Sequence, residues 1–494
     1  MVERRTRVSR ATYGAALVAF VAWLPFLRTP LESDESGFLL VARQWAPGSS
    51  LYGDHWVDRP PLLIWIFRLA DRLGPVDLAE IGAIAPGVKL VGATASALAV
   101  LLAGVLAAQL ATGPSRWTVR IVPMLAAALL SSPLLGMPAT NGEVLAAPFI
   151  LLGVVCLVAG LAGPLRPRAV LLAAGAGAAA ACAALVKQNM VDVFVLALVL
   201  LPLSAGRVPQ LVRRTLAFAA GALAALTIVL AASAARGTSP AALWDAVVVF
   251  RFEASAVISA SASSATSDRM TVVALAFLAS GAAVTLATTG FLAARTAVLH
   301  GPRSAPLPVA ALAMAAWEVL GVAAGGSYWL HYLTGLVPGV VLLACLVRPH
   351  GRRRIVVTAC LVGTALACLT AWVLHLADPI EPELATDARA AHYLRTHADP
   401  SDGVVVAFGR PDIVAASGLS SPYPHLWSLP VRVRDPDLTE LQAVLTGPDP
   451  PRWIVVFGDR VDSWGIDGDR AQAYLDEHYA EQASFDNLHV WKRE

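Results

Sequence analysis

The chain has little charge for its length. Of its 494 residues only 15% are charged, against about 25% in an ordinary soluble domain. Hydrophobic residues make up 57%, and the mean hydropathy is +0.64. This composition excludes a water-soluble globule over most of the length, and it also excludes a disordered chain, a collagen and a disulfide-rich secreted scaffold. The formal net charge of +2 gives no sign of a nucleic-acid partner.

Cysteine is scarce, and nucleotide-binding loops are missing. The five cysteines all lie within apolar runs, and none follows residue 377. No spacing among them suits a metal site or a disulfide framework, so we interpret them as small apolar residues of membrane helices. The polar C-terminal part contains neither G-x-G-x-x-G nor a P-loop, which indicates that it has no nucleotide site.

Charge is distributed unevenly along the chain. Residues 378–494 hold 20 of the 35 acidic residues and 10 of the 37 basic ones, so they carry a net charge of −10, whereas residues 1–377 carry +12. We therefore predict two domains. A transmembrane domain covers residues 1–377 and includes a first outer loop at 30–80, and a polar, acidic domain covers residues 378–494.

The C-terminal part alternates between two kinds of pattern. Short apolar runs at 403–409 and 453–458 predict buried strands, and 488–491 predicts a closing strand. Helical patterns at 385–397, 437–445 and 469–479 separate them. Strands that alternate with helices predict a small α/β domain.

Long apolar runs predict a polytopic α-helical membrane protein, since a bilayer core needs about 20 apolar residues per helix. We predict about eleven spans, at 11–29, 81–111, 119–136, 143–163, 168–186, 190–206, 212–235, 270–294, 306–325, 328–347 and 354–377. With a cytoplasmic N-terminus, the inner segments carry 17 of the 27 basic residues of 1–377, as the positive-inside rule requires. We therefore predict a multi-pass protein of the plasma membrane whose C-terminal domain is extracytoplasmic.

Acidic residues are concentrated in the first outer loop. Residues 31–80 contain eight, whereas residues 81–377 contain six. Leu62–Leu73 has apolar residues at helical spacing with charges opposite, which predicts an amphipathic helix in contact with membrane lipids. A second outer segment, 236–268, has the same mixed character. Together these segments predict a site at the outer membrane surface.

Asp34 and Glu35 follow the first span directly. A carboxylate pair at a membrane surface can deprotonate a hydroxyl group or orient a charged partner. Partial burial raises the pKa of one member of such a pair, which suits a general base. The alternative is structural, since Ser33 or Asp34 can cap a helix exposed to water.

The residues around this pair match a known pattern. The stretch Asp34–Pro61 contains D-E, A-R at 42–43, Gly48, L-Y at 51–52, Asp54 and R-P-P at 59–61. It resembles the first outer loop of the GT-C glycosyltransferases that use polyprenyl-phosphate sugars, which include the protein O-mannosyltransferases, the aminoarabinose transferase of lipid A and the RgtA/B/C/D-like bacterial enzymes. The basic residue before the two prolines is commonly lysine in that family, whereas it is Arg59 here.

The resemblance continues along the chain, although its later motifs are looser. Pro138–Glu143 resembles the outer acidic position at the start of a later span, and Leu185–Gln188 resembles the lysine-bearing end of a helix that faces the lipid phosphate. Tyr328–Tyr332 with Pro338 resembles the late H-Y…P motif. A polar α/β domain after the last span is also common in the group.

The resemblance implies a GT-C-like fold and a membrane glycosyltransferase. Such an enzyme moves one sugar from a polyprenyl-phosphate donor to an acceptor on the extracytoplasmic face, by a single displacement at the anomeric carbon. Asp34 is the implied base, and Glu35 orients the acceptor or the sugar. Arg59 and Lys187 hold the donor phosphate. The remaining implied substrate-binding residues are Tyr52, Glu143, His331 and Tyr332.

The reaction implied by the resemblance needs no nucleotide cofactor, because the carrier lipid brings an activated sugar. Outer carboxylates are present that could bind a divalent metal, but no ligand spacing predicts a metal site. The acceptor is left open between a protein, a lipid and a glycan.

Each residue carried over by the resemblance also has a structural alternative. Lys187 would merely extend to the interface, Glu143 would stabilise its helix N-terminus, and His331 would be a hydrogen-bonded interface residue. Arg59 would pair with Asp58 or Asp54. Two acids inside apolar spans, Asp192 and Glu318, have no assigned role although such acids are often functional.

Two other function classes fit a polytopic chain. A transporter or lipid-carrier flippase has a similar number of spans, but it usually places polar groups and broken helices near the bilayer midplane. A non-catalytic membrane assembly subunit would use its C-terminal domain to bind a partner. The polarity of this chain is concentrated in one outer loop and one C-terminal domain, which favours the enzyme.

Overall fold

The computed structural model describes residues 8–46, 48–74, 76–111, 117–162, 166–204, 208–260, 264–348, 351–462 and 466–494. The contacts between residues divide the chain into two compact units. The bundle unit comprises Met1–Pro25, Leu90–Val229 and Ser264–Ala377. The sheet unit comprises Phe26–Lys89, Leu230–Ser263 and Asp378–Glu494. The predicted division of the chain at residue 377 stays a prediction.

Helices account for most of the described residues. In the first half of the chain they are α1 (Arg10–Val21), α2 (Ser33–Gln44), α3 (Pro61–Leu73), α4 (Pro86–Leu110), α5 (Trp117–Leu130), α6 (Gly142–Leu161), α7 (Pro167–Val186), α8 (Asp192–Ser204), α9 (Val208–Ala234), α10 (Pro240–Trp244) and α11 (Phe250–Ala260). In the second half they are α12 (Ser264–Ala279), α13 (Ala282–His300), α14 (Pro306–Ala323), α15 (Val337–Leu346), α16 (Arg352–Ala377), α17 (Pro382–His397), α18 (Pro411–Ser417), α19 (Ser428–Arg434), α20 (Thr439–Thr446) and α21 (Asp469–His478).

The strands are β1 (Asp77–Ala79), β2 (Gly82–Ile84), β3 (Val404–Ala407), β4 (Trp453–Phe457), β5 (Tyr479–Phe485) and β6 (Leu488–Arg493). Short 3-10 segments occur at Leu24–Phe26, Pro133–Leu135 and Leu330–Leu336. A π-helical turn at Asp245–Val249 joins α10 to α11.

Among the described residues, seven helices are long and apolar enough to cross a membrane. They are α4, α6, α7, α9, α13, α14 and the stretch Arg354–His397, in which α16 is the apolar helix. Shorter apolar helices are Arg10–Phe26, Trp117–Leu130, Asp192–Ser204 and Leu330–Leu346. The predicted number of about eleven spans stays a prediction. Of the basic residues counted for the orientation, Arg4, Arg5, Arg7, Arg116 and Arg207 lie outside the described residues.

The span predicted at 270–294 is not one continuous helix. It is broken between α12 and α13, where Gly281 adopts a positive φ of 74°. The apolar run continues across this break, so hydropathy alone could not reveal it. Glycine adopts this conformation without the steric strain that a Cβ brings.

Small residues let the helices of the bundle unit pack closely. A Cβ on Gly177 of α7 would overlap the backbone of Phe218 in α9, and a Cβ on Gly221 would overlap the backbone of Ala174. The two helices therefore cross at a position where only glycine fits on both sides. Membrane helices commonly associate through such residues, because lipid provides no hydrophobic drive for helix pairing.

The sheet unit contains the α/β sandwich predicted for the C-terminal part. The strand order is β3-β4-β6-β5, with β3 parallel to β4 and the remaining pairs antiparallel. Alternate residues of β3 pack on opposite faces: Val404 and Val406 join a core with Leu394 and Ile413, and Val405 joins another that includes Leu441, Leu445 and Leu475. Because both faces are covered, the central strands are apolar throughout.

Candidate active site

Helix α2 carries the predicted acid pair in its first turn. Glu32 is the N-cap residue, and its backbone N–H donates to Oε2 of Glu35 at 3.1 Å. Acidic side chains at this position also interact favourably with the helix dipole. The start of α2 is therefore capped by Glu32 and Glu35, and the alternative in which Ser33 or Asp34 is the cap is wrong.

Asp34 is half-buried beside a tryptophan from the C-terminal part of the sheet unit. The indole Nε1–H of Trp427 donates a hydrogen bond of 2.9 Å to Oδ1 of Asp34. The second carboxylate oxygen, Oδ2, accepts no hydrogen bond from the residues that the structure describes. Asp34 thus has one oxygen fixed by the protein and one that a hydroxyl group could approach.

Glu35 is buried in an ion pair that the sequence did not predict. Nζ of Lys89 lies 2.6 Å from Oε2 of Glu35, and both side chains are only 1% exposed. The ion pair therefore joins the first turn of α2 to Lys89, which lies near the start of α4. The predicted contact of Glu35 with a sugar or acceptor stays a prediction.

Arg59 is held in a cluster of charges. Its guanidinium lies 2.6 Å from Oδ1 of Asp58, and Oδ2 of Asp58 lies 2.6 Å from the guanidinium of Arg251 in α11. The Arg59 guanidinium also lies over the ring of Phe38 in α2, 5.8 Å from its centroid. Two cations, Arg59 and Arg251, thus contact the same carboxylate.

Tyr52 fixes the turn that carries Arg59. Its hydroxyl group donates a hydrogen bond of 3.1 Å to the backbone carbonyl of Arg59. Burial raises the pKa of the Tyr52 phenol above its usual range, and the Asp58 carboxylate raises it further. The phenol therefore remains a neutral hydrogen-bond donor at physiological pH.

In the bundle unit, Lys187 and Glu143 form an ion pair. Glu143 lies in the first turn of α6 and is 2% exposed, and Lys187 is the residue that ends α7 and is 12% exposed. The ammonium of Lys187 also lies over the ring of Tyr332, 4.8 Å from its centroid. Asn141, rather than Glu143, caps α6, because its side chain accepts from the backbone N–H of Val144.

His331 packs beside this pair. Its ring meets that of Tyr332 edge-on, with centroids 5.1 Å apart. A Cβ on Gly136 would stand 2.7 Å from Cα of His331, so the segment before α6 passes directly against the H-Y motif. The three later motifs of the resemblance therefore meet within the bundle unit.

The predicted site residues form two groups, one in each unit. The sheet unit contains Asp34, Glu35, Tyr52 and Arg59, and the bundle unit contains Glu143, Lys187, His331 and Tyr332. In the bundle unit these residues are linked by direct contacts. In the sheet unit Tyr52 contacts Arg59 directly, whereas Arg59 is linked to Asp34 through Phe38 and Trp427 in turn. Among the described residues, no group of three or more His, Cys, Asp or Glu side chains could hold a metal ion.

Three residues that contact the predicted site or its neighbours were not predicted from the sequence: Lys89, Arg251 and Trp427. Lys89 could have been found from the sequence, because a lone charge near the start of an apolar span indicates a nearby partner of opposite charge. Arg251 lies in the outer segment 236–268 that the sequence associates with the site, but nothing in the sequence shows its pairing with Asp58. Trp427 could not be found, since it is distant in sequence from Asp34. Asp192 and Glu318 are both buried, and Oε2 of Glu318 accepts from the backbone N–H of Gly339 at 3.1 Å.

Comparison with solved structures decides the fold. Over 97% of both chains, this protein resembles ArnT from Cupriavidus metallidurans, in a crystal structure bound to undecaprenyl phosphate, with a TM-score of 0.60 and 13% identity. It resembles the oligosaccharyltransferase of Archaeoglobus fulgidus, with a TM-score of 0.55 and 11% identity over 92% of this chain and 70% of that one. The chain has the GT-C fold.

A third solved structure is also similar to this chain. The arabinofuranosyltransferase AftD from Mycobacteria matches 99% of this chain with a TM-score of 0.52 and 16% identity, although the match covers 40% of AftD. No protein-family profile and no curated protein matches the sequence. The predicted fold class, a multi-pass helical membrane protein with a small C-terminal α/β region, is confirmed.

Proposed function

We propose that this chain is a membrane glycosyltransferase that moves one sugar from a polyprenyl-phosphate donor to an acceptor on the extracytoplasmic face of the plasma membrane. The GT-C fold supports a glycosyltransferase, because similar structures include an oligosaccharyltransferase and an arabinofuranosyltransferase. The similar ArnT structure contains undecaprenyl phosphate, which supports a polyprenyl-phosphate donor. The proposal depends above all on Asp34, whose Oδ1 is fixed by Trp427 in the first turn of α2.

The proposed reaction is a single displacement at the anomeric carbon. The acceptor oxygen forms a bond to that carbon while the bond from the carbon to the phosphate oxygen breaks. Asp34 takes the proton from the acceptor hydroxyl group, and the polyprenyl phosphate leaves as an anion. The charge that develops on the leaving phosphate requires nearby cations in the transition state.

Arg59 and Lys187 are the proposed ligands of the donor phosphate. Each already contacts a carboxylate, Asp58 for Arg59 and Glu143 for Lys187. An ion pair of this kind holds the cation in place before the donor arrives, which reduces the entropy lost on binding. Asp58 also contacts a second cation, Arg251, so its negative charge is shared between two guanidinium groups and Arg59 can still attract an arriving phosphate.

The proposed orientation follows from the distribution of basic residues. The N-terminus is cytoplasmic, and the first outer loop at 30–80 and the domain at 378–494 are extracytoplasmic. This arrangement gives Asp34 and Arg59 access to a carrier lipid in the outer leaflet. It also gives an extracytoplasmic acceptor access to Asp34.

The direct test is a transfer assay with the purified chain in sealed proteoliposomes. Polyprenyl-phosphate hexoses and pentoses with a labelled sugar are offered together with cell-envelope lipids, glycans and proteins, and mass spectrometry identifies the product. We expect a new glycosidic bond and release of polyprenyl phosphate. A flippase would instead move the labelled lipid between leaflets without forming that bond, and such a result would overturn the proposed function.

A further inference from the structure

Trp427 links the C-terminal part of the sheet unit to the first turn of α2. It is the N-cap residue of α19 and donates to Oδ1 of Asp34, 393 residues earlier in the chain, at 2.9 Å. A second hydrogen bond runs beside it, from Oγ of Ser33 to Oδ1 of Asp412 at 2.6 Å. Two adjacent residues in the first turn of α2, Ser33 and Asp34, are therefore hydrogen-bonded to the C-terminal part.

The indole ring of Trp427 packs directly against α2. Its centroid lies 5.6 Å from that of Phe38. It also lies against Gly37, where a Cβ would overlap the six-membered part of the ring. A glycine at this position lets the ring lie directly on the helix backbone, and the ring in turn directs Nε1–H toward Asp34.

This contact has a specific chemical consequence for a general base. An aspartate side chain rotates about two bonds, and the hydrogen bond to Oδ1 restricts both rotations. The other oxygen is then left for the acceptor hydroxyl group. The indole N–H is a donor only, so it cannot itself take the proton that Asp34 must accept.

We propose that Trp427 is the positioning residue of the Asp34 base, so that the C-terminal α/β region is part of the catalytic apparatus. This inference rests on the proposed function. It predicts that removal of the indole N–H slows the chemical step, while donor binding, which the proposed function assigns to Arg59 and Lys187, is preserved.

The first test is Trp427→Phe, with Trp453→Phe as its matched control. Trp453 is also a tryptophan of the sheet unit that donates to an aspartate, Oδ2 of Asp402, at 2.9 Å. We expect kcat of Trp427→Phe to fall about 10- to 100-fold, because a hydrogen bond to a charged group is lost, with KM for the donor unchanged. Trp453→Phe should keep the wild-type kcat in protein that remains folded. Equal kcat values for Trp427→Phe and wild type would overturn the inference.

A second variant covers the case in which Trp427→Phe does not fold. Benzothienylalanine at position 427 keeps the size and shape of the indole and replaces only the N–H group with sulfur. The same fall in kcat is expected, together with a wild-type melting temperature. A wild-type kcat in this variant would overturn the inference, since only the hydrogen bond has been removed.

A double-mutant cycle separates positioning from general structural support. If Trp427 acts through Asp34, Trp427→Phe should have no further effect on the residual rate of Asp34→Ala. Additive losses would assign Trp427 to structure alone. The outcomes also separate the two proposals. If Asp34→Asn loses activity and Trp427→Phe keeps it, only this inference is overturned. If the wild-type chain transfers no sugar, the proposed function is overturned and this inference with it.

Discussion

Lys89 and Glu35 form an ion pair, with 2.6 Å between Nζ and Oε2, that is almost completely buried. Each charge requires the other, because an unpaired charge in such a place is strongly unfavourable. The pair joins the first residues of the long apolar helix α4 to the first turn of α2. The position of Asp34 therefore depends on a lysine outside the first outer loop.

Removing one partner of this pair should destabilise the protein severely. Lys89→Met leaves the Glu35 carboxylate buried without its counter-charge, which should lower the free energy of unfolding by about 3–5 kcal/mol. The double variant Lys89→Met/Glu35→Leu should recover most of that loss, because both charges are gone. Thermal melts of the detergent-solubilised protein measure the effect. Lys492→Met, at a partly exposed lysine, is the control, and an equal loss of stability in it would contradict a special role for the pair.

Lys187 and Arg59 should govern the affinity for the donor phosphate. Lys187→Ala and Arg59→Ala should each weaken binding of polyprenyl phosphate in nanodiscs about tenfold or more, because a charged hydrogen bond is lost. Glu143→Gln should also weaken binding, because it removes the carboxylate that holds Lys187 in place before the donor arrives. Unchanged affinity in both alanine variants would assign these cations to structural pairing.

Asp412 should make the stability of the sheet unit depend on pH. Burial raises the pKa of its carboxyl group, and burial together with the Asp412 charge raises the pKa of the neighbouring Asp387 to about 8. This pair of carboxyl groups therefore holds a proton in the folded protein that the unfolded chain releases. The contribution of this pair to the free energy of unfolding is complete below its pKa in the unfolded chain, about 4. It is lost as pH rises through the raised pKa of the folded protein. The wild-type melting temperature should therefore fall as pH rises from about 4 toward neutrality.

The variant Asp412→Asn tests this dependence, because an amide has no titrating proton. Its melting temperature should fall less over the same pH range than that of the wild type. Asp437→Asn, at an exposed aspartate, should keep the wild-type slope. Identical slopes in all three proteins would mean that the pair of Asp412 and Asp387 holds no proton over this pH range.

The predicted orientation can be tested with fusions at the chain end. A reporter that is active only outside the cytoplasm should be active when fused after Glu494. The same reporter fused in the inner segment at 301–305 should be inactive. Activity of a cytoplasmic reporter after Glu494 would exclude the proposed extracytoplasmic reaction.

The sequence predicted much of the fold, because composition and periodicity report burial directly. The apolar runs at 403–409 and 453–458 are the adjacent strands β3 and β4. The strand β5 was missed, because it lies at the sheet edge and its burial alternates irregularly. The break at Gly281 was also missed, since the apolar run continues through it.

The candidate site could be predicted only where its residues are close in sequence or belong to a motif. Asp34 and Arg59 were identified from the pattern of the first outer loop. The pairing of Lys187 with Glu143 and the contact of Trp427 with Asp34 depend on tertiary structure, across 44 and 393 residues of sequence. No local pattern encodes which tryptophan will reach a given aspartate.

The central claim is that Asp34 takes the proton from the acceptor. The variant Asp34→Asn keeps an oxygen that can accept from Trp427, and loss of its charge in the first turn of α2 should cost only about 0.3–1 kcal/mol of helix stability. An amide cannot act as a base at neutral pH, so turnover should fall about 10²- to 10⁴-fold. Asp77→Asn, at an exposed aspartate in β1, is the matched control and should keep the wild-type rate.

The decisive measurement is turnover with the lipid-linked sugar that the transfer assay identifies, made on the same Asp34→Asn sample as a thermal melt. The account predicts a wild-type melting temperature together with the 10²- to 10⁴-fold loss of turnover expected without a general base. Near-normal turnover in well-folded Asp34→Asn would contradict it and move the search for the base to Glu35 or Glu143.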